Sequence, residues 1–117
     1  MKKLFRILVG LTPILVFAVW GYAHLEAYCV FYPGIDTRYA PGFSEQAFAR
    51  LSPGMTTDMV EHTMGKPLFA ATYRGGSSEW FYTDDGKCGW GDWAWLKRTV
   101  RFENGRVVEL IHCVQED

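Results

Sequence analysis

The chain has 117 residues and a mass of 13.4 kDa, the size of a single domain. Hydrophobic residues make up 49% of it and aromatic residues 16%, which excludes an intrinsically disordered protein. Three of its 12 Lys and Arg are Lys2, Lys3 and Arg6, and the remaining nine face 13 Asp and Glu. A nucleic-acid-binding surface is therefore not expected, because neutralising phosphates requires clustered basic residues.

The N-terminus combines a basic start with an apolar run. Residues 7–23 carry no charged side chain, and Trp20 and Tyr22 stand near the end of the run. The run is near the lower length limit of a membrane span, and such aromatic residues favour the membrane interface. We prefer a retained transmembrane anchor at residues 1–23. A signal peptide cleaved after Ala23 and a buried core helix remain alternatives. The first two place the rest of the chain outside the cytoplasm.

Residues 24–42 show no sustained hydrophobic period and contain two Pro-Gly turn signals. We interpret them as a tether that packs partly on the following domain through Phe31, Tyr32 and Tyr39. The domain itself is expected at residues 43–117. Lipidation is not expected at Cys29, because the bulky Tyr28 precedes it where a lipoprotein signal has a small residue.

Two short helices are predicted at the start of the domain. Ser44 is a good N-cap residue before the first, whose apolar positions form one stripe. The stretch "LSPGMTTDMVEHTMGKP" predicts the second, with Thr56 as N-cap and with Gly65 and Pro67 ending it. His62 on this helix is interpreted as a solvated residue.

After these helices the hydrophobic period changes to two, which indicates strands. Leu68–Tyr73 and Glu79–Thr83 are predicted to form a hairpin around a Gly-rich turn. Along the second of these strands, Trp80 and Tyr82 share one face and Phe81 takes the other.

A second hairpin closes the chain around Asn104-Gly105. We predict a three-residue turn that places Val100 opposite Val108 and Thr99 opposite Glu109, because this register keeps like residues on each face. The predicted core face is Leu96, Val100, Phe102, Val108 and Leu110, and the predicted outer face is Arg101, Val107, Glu109 and Ile111. The order predicts an α+β fold in which two short helices pack on an antiparallel meander sheet of three or four strands.

Residues 84–95 join several glycines to Trp90, Trp93 and Trp95. Large aromatic side chains on a Gly-containing loop are typical of a protein-contact surface. The equally weighted alternative is that Trp93 and Trp95 cover a face of the sheet.

The three cysteines allow one disulfide in an oxidising compartment. We predict a Cys88–Cys113 bridge, with three independent thiols as an equally weighted alternative.

No metal, cofactor or catalytic site is predicted. The three histidines have no metal-ligand spacing, and Asp84, Asp85 and Asp92 are interpreted as solvated loop residues. Asp84, Asp85 and His112 are candidate acids and bases, but no nucleophile–base pairing accompanies them.

One set of residues follows the pattern L-x-x-G-M-T-x-x-x-V-x-x-x-hydrophobic-G-x-P, with a W-x-Y strand after it. The matching residues are Leu51, Gly54, Met55, Thr56, Val60, Met64, Gly65, Pro67, Trp80 and Tyr82. In this order they resemble the BamE (SmpA/OmlA) family of small envelope assembly factors, over about residues 43–113. The resemblance implies a two-helix, three-strand α+β domain with no cofactor and no catalysis. Its classical members are lipoproteins of an outer-membrane barrel-assembly complex.

This chain departs from that pattern in lacking a lipobox and in having an apolar run long enough for a span. The expected location is therefore the inner membrane, held through residues 7–23, with the domain in the periplasm. Secretion to the periplasm after signal cleavage is the alternative. The expected partners are envelope proteins, with no nucleic acid and no small-molecule substrate. A second functional interpretation is an enzyme inhibitor or sensor, because the helix-helix-sheet order also resembles half of a β-lactamase inhibitory protein.

Overall fold

The computed structural model of the chain describes residues 1–24 and 28–116, with the side chains of residues 23 and 24 excepted. Three α-helices and six β-strands follow one another along the described residues. The elements are α1 Lys2–His24, β1 Thr37–Tyr39, α2 Glu45–Ala49, α3 Thr57–Met64, β2 Phe69–Thr72, β3 Ser77–Phe81, β4 Thr83–Asp85, β5 Trp95–Glu103 and β6 Arg106–Gln115.

The N-terminal helix α1 presents its apolar side chains to the outside. Over Lys2–Tyr22 it is long and apolar enough to cross a membrane, by length and composition. Both a membrane span and a signal sequence have these properties. The predicted cleavage site ends at residue 23, whose side chain lies outside the described part of the chain.

The two short helices begin and end where their capping residues predict. The Ser44 hydroxyl accepts a hydrogen bond from the Ala47 N–H, and the Thr56 hydroxyl accepts one from the Met59 N–H. Gly65 ends α3 with φ 77°, a left-handed conformation that an L side chain rarely adopts.

The four longest strands form an antiparallel meander sheet in the order β2-β3-β5-β6. The predicted α+β fold is confirmed. A second sheet of two strands was not predicted: β1 pairs with β4, with Thr37 opposite Asp85 and Tyr39 opposite Thr83. It joins the segment before the helices to the middle of the chain.

The core lies between the two short helices and one face of the meander. The helical segment contributes Phe48, Leu51, Val60 and Met64. The strands contribute Val100, Phe102 and Val107, and Tyr82 joins them from between β3 and β4. Trp80 packs on Phe102 with ring centroids 4.8 Å apart. The Tyr82 hydroxyl donates to the Gly65 carbonyl at 2.9 Å, which ties the sheet to the end of α3.

The predicted register of the last hairpin is wrong. Glu103 pairs with Arg106, so the turn contains only Asn104 and Gly105, at φ 51° and 74°. Positive φ at both positions is the geometry of a type I′ turn, whose twist matches that of the strands.

A β-bulge next to this turn changes which residues of β6 face the core. Phe102 pairs with Val107 but Arg101 pairs with Glu109, so Val108 is the extra residue. Val107 is consequently buried and Val108 is exposed, the reverse of the prediction. The same shift places Val100 opposite Leu110 and Thr99 opposite Ile111. The bulge lets Val107 and Leu110, three residues apart, both face the core.

The segment predicted as a tether is partly a built element of the domain. Asp36 and Thr37 are buried, and Tyr39 stacks on Phe43 at 5.1 Å. Phe31 and Tyr32, predicted to pack on the domain, are instead 88% and 70% exposed. Residues 25–27, at the start of this segment, lie outside the described residues.

Candidate contact surfaces

One buried carboxylate holds the segment between β4 and β5 to the domain. We call this segment, residues 86–94, the Trp-containing segment. Asp36 accepts hydrogen bonds from the Cys88 N–H at 2.8 Å and from the Trp93 N–H at 2.9 Å, one on each oxygen. Its main-chain carbonyl accepts from the N–H groups of Gly86 at 3.0 Å and Lys87 at 3.3 Å. Four backbone donors of a segment without regular structure are thereby satisfied inside the protein.

Only one of the three predicted contact tryptophans is on the surface. Trp93 and Trp95 are 2% and 8% exposed, so their predicted place on an open contact surface is wrong. Trp90 is 65% exposed and packs edge-on against Trp93, with ring centroids 5.3 Å apart. Gly91 gives Trp93 its room, because a Cβ there would lie 2.5 Å from the indole Nε1.

Trp93 also links the domain to the N-terminal helix. The ring of Tyr22, in the last turns of α1, meets Trp93 edge-on with centroids 5.2 Å apart. Trp93 therefore lies between Tyr22 on one side and Trp90 on another.

The outer face of the meander carries a row of side chains that crosses all four strands. Phe69 on β2 lies opposite Phe81, Phe81 opposite Thr99, and Thr99 opposite Ile111. We call these four residues the outer apolar row. Phe69 and Phe81 stack with centroids 4.5 Å apart, and Phe69 remains 44% exposed. Phe69 is the member of this row that is largely open, Phe81 and Ile111 are half-buried, and Thr99 is buried.

A charged row runs beside the outer apolar row. Arg101 lies between Glu79 on β3 and Glu109 on β6, and forms an ion pair with Glu109. Both partners of the pair are more than a third exposed, so the pair adds little to stability. The Arg101–Glu109 pair places opposite charges beside the outer apolar row.

Three carboxylates gather around the Trp-containing segment. One oxygen from each of Asp36, Asp85 and Asp92 lies within 4.8 Å of the others. Asp84, which the sequence grouped with the last two, instead pairs with Arg38. Both oxygens of Asp36 already accept backbone hydrogen bonds, so its burial is explained by holding the segment. No sequence motif links Asp36 to this place, since it lies far along the chain from the loop it holds.

The candidate acids and bases are not arranged as one site. His112 lies on β6 opposite Arg98, with its ring 6.4 Å from that of Phe48. Asp84 and Asp85 lie on β4, in the other sheet. His62 is exposed in the last turn of α3, as the sequence predicts.

The cysteines at positions 29, 88 and 113 are free thiols in the structure. Cys88 donates its N–H to Asp36, and Cys113 is exposed on β6. The Cys88–Cys113 bridge is not formed among the described residues and stays a prediction, which peptide mapping without reductant tests.

A family model matches the chain over residues 43–112, and its description is Outer membrane protein assembly factor BamE domain. The match includes α2, α3 and the meander sheet down to His112 in β6. It begins after Asp36 and Thr37, so the buried residues that hold the Trp-containing segment lie before it. No curated protein sequence matches the chain with significant similarity.

Proposed function

Because the chain belongs to the BamE family of outer-membrane-protein assembly factor domains, we propose that it is a membrane-anchored envelope protein that binds another envelope protein and catalyses no reaction. The observation that carries the proposal is the family match over both helices and the meander sheet. The proposed site of action is the periplasmic side of the inner membrane, in support of outer-membrane or envelope assembly.

The proposed anchor is α1. Over residues 7–22 its side chains are mostly apolar and exposed, and Lys2, Lys3 and Arg6 stand at its start. Positive charge favours the cytoplasmic side of a membrane, so the domain would lie on the opposite side. A retained span also explains why a member of this family lacks a lipobox at Cys29.

The proposed protein-contact surface is the outer apolar row. The stacked rings of Phe69 and Phe81 form a rigid apolar patch whose burial by a partner costs little side-chain entropy. The neighbouring Arg101–Glu109 pair supplies a charged border, which favours one orientation of the partner over others. This surface replaces the predicted contact through Trp93 and Trp95, which are buried.

Site-specific photocrosslinking in native membranes tests this surface. A photoreactive residue in place of Phe69 is expected to crosslink to an envelope protein. The matched control is the same residue in place of Met59, which is 50% exposed on α3, away from the outer face.

A crosslink at position 69 that is absent at position 59 supports the proposal. Equal crosslinking at both positions, or none at position 69 while the protein remains folded in the membrane, contradicts it. The alternative of an enzyme inhibitor or sensor gains no support from the family match and is not proposed.

A further inference from the structure

A cluster of exposed apolar side chains lies at one end of the domain, separate from the outer apolar row. Val30, Phe31 and Tyr32 are all largely exposed, as is Trp90. Phe31 and Tyr32 also line a shallow groove with Lys87. Large apolar side chains exposed together in one region mark an interaction site. We call Val30, Phe31, Tyr32 and Trp90 the aromatic end.

Two sets of contacts place the aromatic end beside the C-terminal end of α1. Trp93 touches both Tyr22 of α1 and Trp90. Asp36 holds the backbone of Lys87 and Trp93. Turn hydrogen bonds from Ile35 to Tyr32 and from Thr37 to Gly34 connect the segment after Tyr32 to Asp36. The exposed side chains therefore belong to the part of the domain that meets the end of the helix.

We propose that the aromatic end lies in the interfacial region of the same bilayer that α1 spans, so that Trp90, Phe31 and Tyr32 seat the domain on the membrane surface. This inference rests on the proposed function, since it takes α1 as a retained span. The occupant is the lipid interface and not a protein, because these residues are continuous with the helix end that would emerge at that interface.

The side-chain chemistry fits a shallow position in the bilayer. Trp and Tyr favour the headgroup level, where an apolar ring and a polar group are both satisfied. Lys87 beside Phe31 and Tyr32 can bury its methylene stem while its ammonium reaches the headgroups. The exposed Asp92 opposes deep insertion. The aromatic end is thus suited to the interface and not to the hydrocarbon core.

The strands then carry the rest of the domain away from the bilayer. β5 starts at Trp95 and ends at Glu103, and a strand advances about 3.3 Å per residue, so its far end lies roughly 26 Å from its start. The β2–β3 turn lies at that far end, because the Asn104 N–H donates to the Gly76 carbonyl. Tyr73, at the same turn and exposed, marks the region predicted to be in water.

Depth-dependent quenching of tryptophan fluorescence tests the seating. The full chain and its Trp90→Phe variant are each reconstituted in vesicles of phosphatidylethanolamine and phosphatidylglycerol, with and without phosphatidylcholine brominated near the headgroup end of its acyl chains. The difference between the two proteins isolates Trp90. We expect the Trp90 emission to be blue-shifted, to lose most of its intensity to the brominated lipid, and to resist quenching by aqueous iodide.

The matched control moves the reporter to the far end of the sheet, in the double variant Trp90→Phe, Tyr73→Trp. Its added emission is expected to be quenched by iodide and unaffected by brominated lipid. Flotation of the vesicles separates this inference from the anchor. If the full chain fails to float with the vesicles or is extracted by alkaline carbonate, the anchor of the proposed function is wrong.

If the protein floats but Trp90 is quenched by iodide and unaffected by brominated lipid, the insertion of α1 in the bilayer stands and the seating is overturned. A Trp90 that is shielded from iodide but unaffected by the brominated lipid is buried against protein, which also overturns the seating.

Discussion

The Trp-containing segment depends on the Asp36 carboxylate for two of its backbone hydrogen bonds. Replacing it by Ala in Asp36→Ala leaves the N–H groups of Cys88 and Trp93 without acceptors. Leaving a buried donor unsatisfied costs about 1–3 kcal/mol, so the free energy of unfolding should fall by roughly 2–4 kcal/mol. Urea unfolding of the full chain in detergent measures this.

Two further variants make the measurement specific. Asp36→Asn keeps one acceptor oxygen and should cost about half as much as Asp36→Ala. Asp92→Ala removes an exposed member of the same carboxylate group and should change stability by less than about 0.5 kcal/mol. Equal losses for Asp36→Ala and Asp92→Ala would show that the two backbone hydrogen bonds to Asp36 do not set the stability of the segment.

Tyr82 gives the domain a pH dependence in the alkaline range. Burial, and secondarily the negative charge of Glu61, raise the pKa of the Tyr82 phenol above its ordinary value of 10.0. The unfolded chain therefore loses this proton at lower pH than the folded one. The contribution to stability is complete below pH 10 and is lost as the pH rises above it.

Urea unfolding below and above pH 10 should show this decline, and Tyr82→Phe should flatten it. The variant also loses the hydrogen bond to Gly65, so at neutral pH it should be less stable by about 1 kcal/mol. An equally steep alkaline decline in Tyr82→Phe would assign the effect to other groups.

Individual residues were predictable from the sequence where their role is local. Ser44 and Thr56 cap the turns that immediately follow them, and Gly65 is demanded by the left-handed end of α3. The role of Asp36 was not predictable, because its partners Cys88 and Trp93 are distant in sequence and are backbone groups, which leave no pattern of side chains. The burial of Trp93 follows from the same contact.

At the level of elements, the bulge in β6 predicts that substitutions at two adjacent valines have different effects on stability. Val107→Asp places an unpaired charge in the core and should reduce the free energy of unfolding by about 3 kcal/mol or more. Val108→Asp alters an exposed residue and should change it by less than about 0.5 kcal/mol. Urea unfolding compares the two, and a larger loss for Val108→Asp would support the register predicted from sequence.

Elements were predictable to the extent that short-range signals define them. Helix caps, the Gly-rich turn and Asn104-Gly105 mark both helices and both hairpins of the meander. The register was not predictable because regular alternation cannot put both Val107 and Leu110 in the core. Burial of both residues selects the bulge, and burial depends on the helices packed against the sheet.

At the scale of the whole molecule, the basic N-terminus predicts which side of the membrane holds the domain. Replacing Lys2, Lys3 and Arg6 by Gln removes the charges that keep this end in the cytoplasm. We expect a smaller fraction of the protein to be degraded by protease added to spheroplasts. The matched control replaces Lys66, Arg74 and the exposed Arg50 by Gln, with no change expected.

Retained protease sensitivity in the N-terminal variant would show that orientation is set elsewhere.

The general organisation, an apolar helix followed by an α+β domain of the BamE family, could be predicted from composition and motif. The small β1–β4 sheet was not, because its three-residue strands are too short for a hydrophobic period to indicate them.

The position of Asp36 also determines how the protein can be divided. A fragment cut at Phe43 would keep every residue of the family match but would lose β1 and the carboxylate that receives Cys88 and Trp93. The Trp-containing segment would then lose its hydrogen-bond acceptor. Aggregation of such a fragment would reflect the missing residues and not the native surface. We therefore expect a stable fragment of this chain to start before Asp36, upstream of the family match at residue 43.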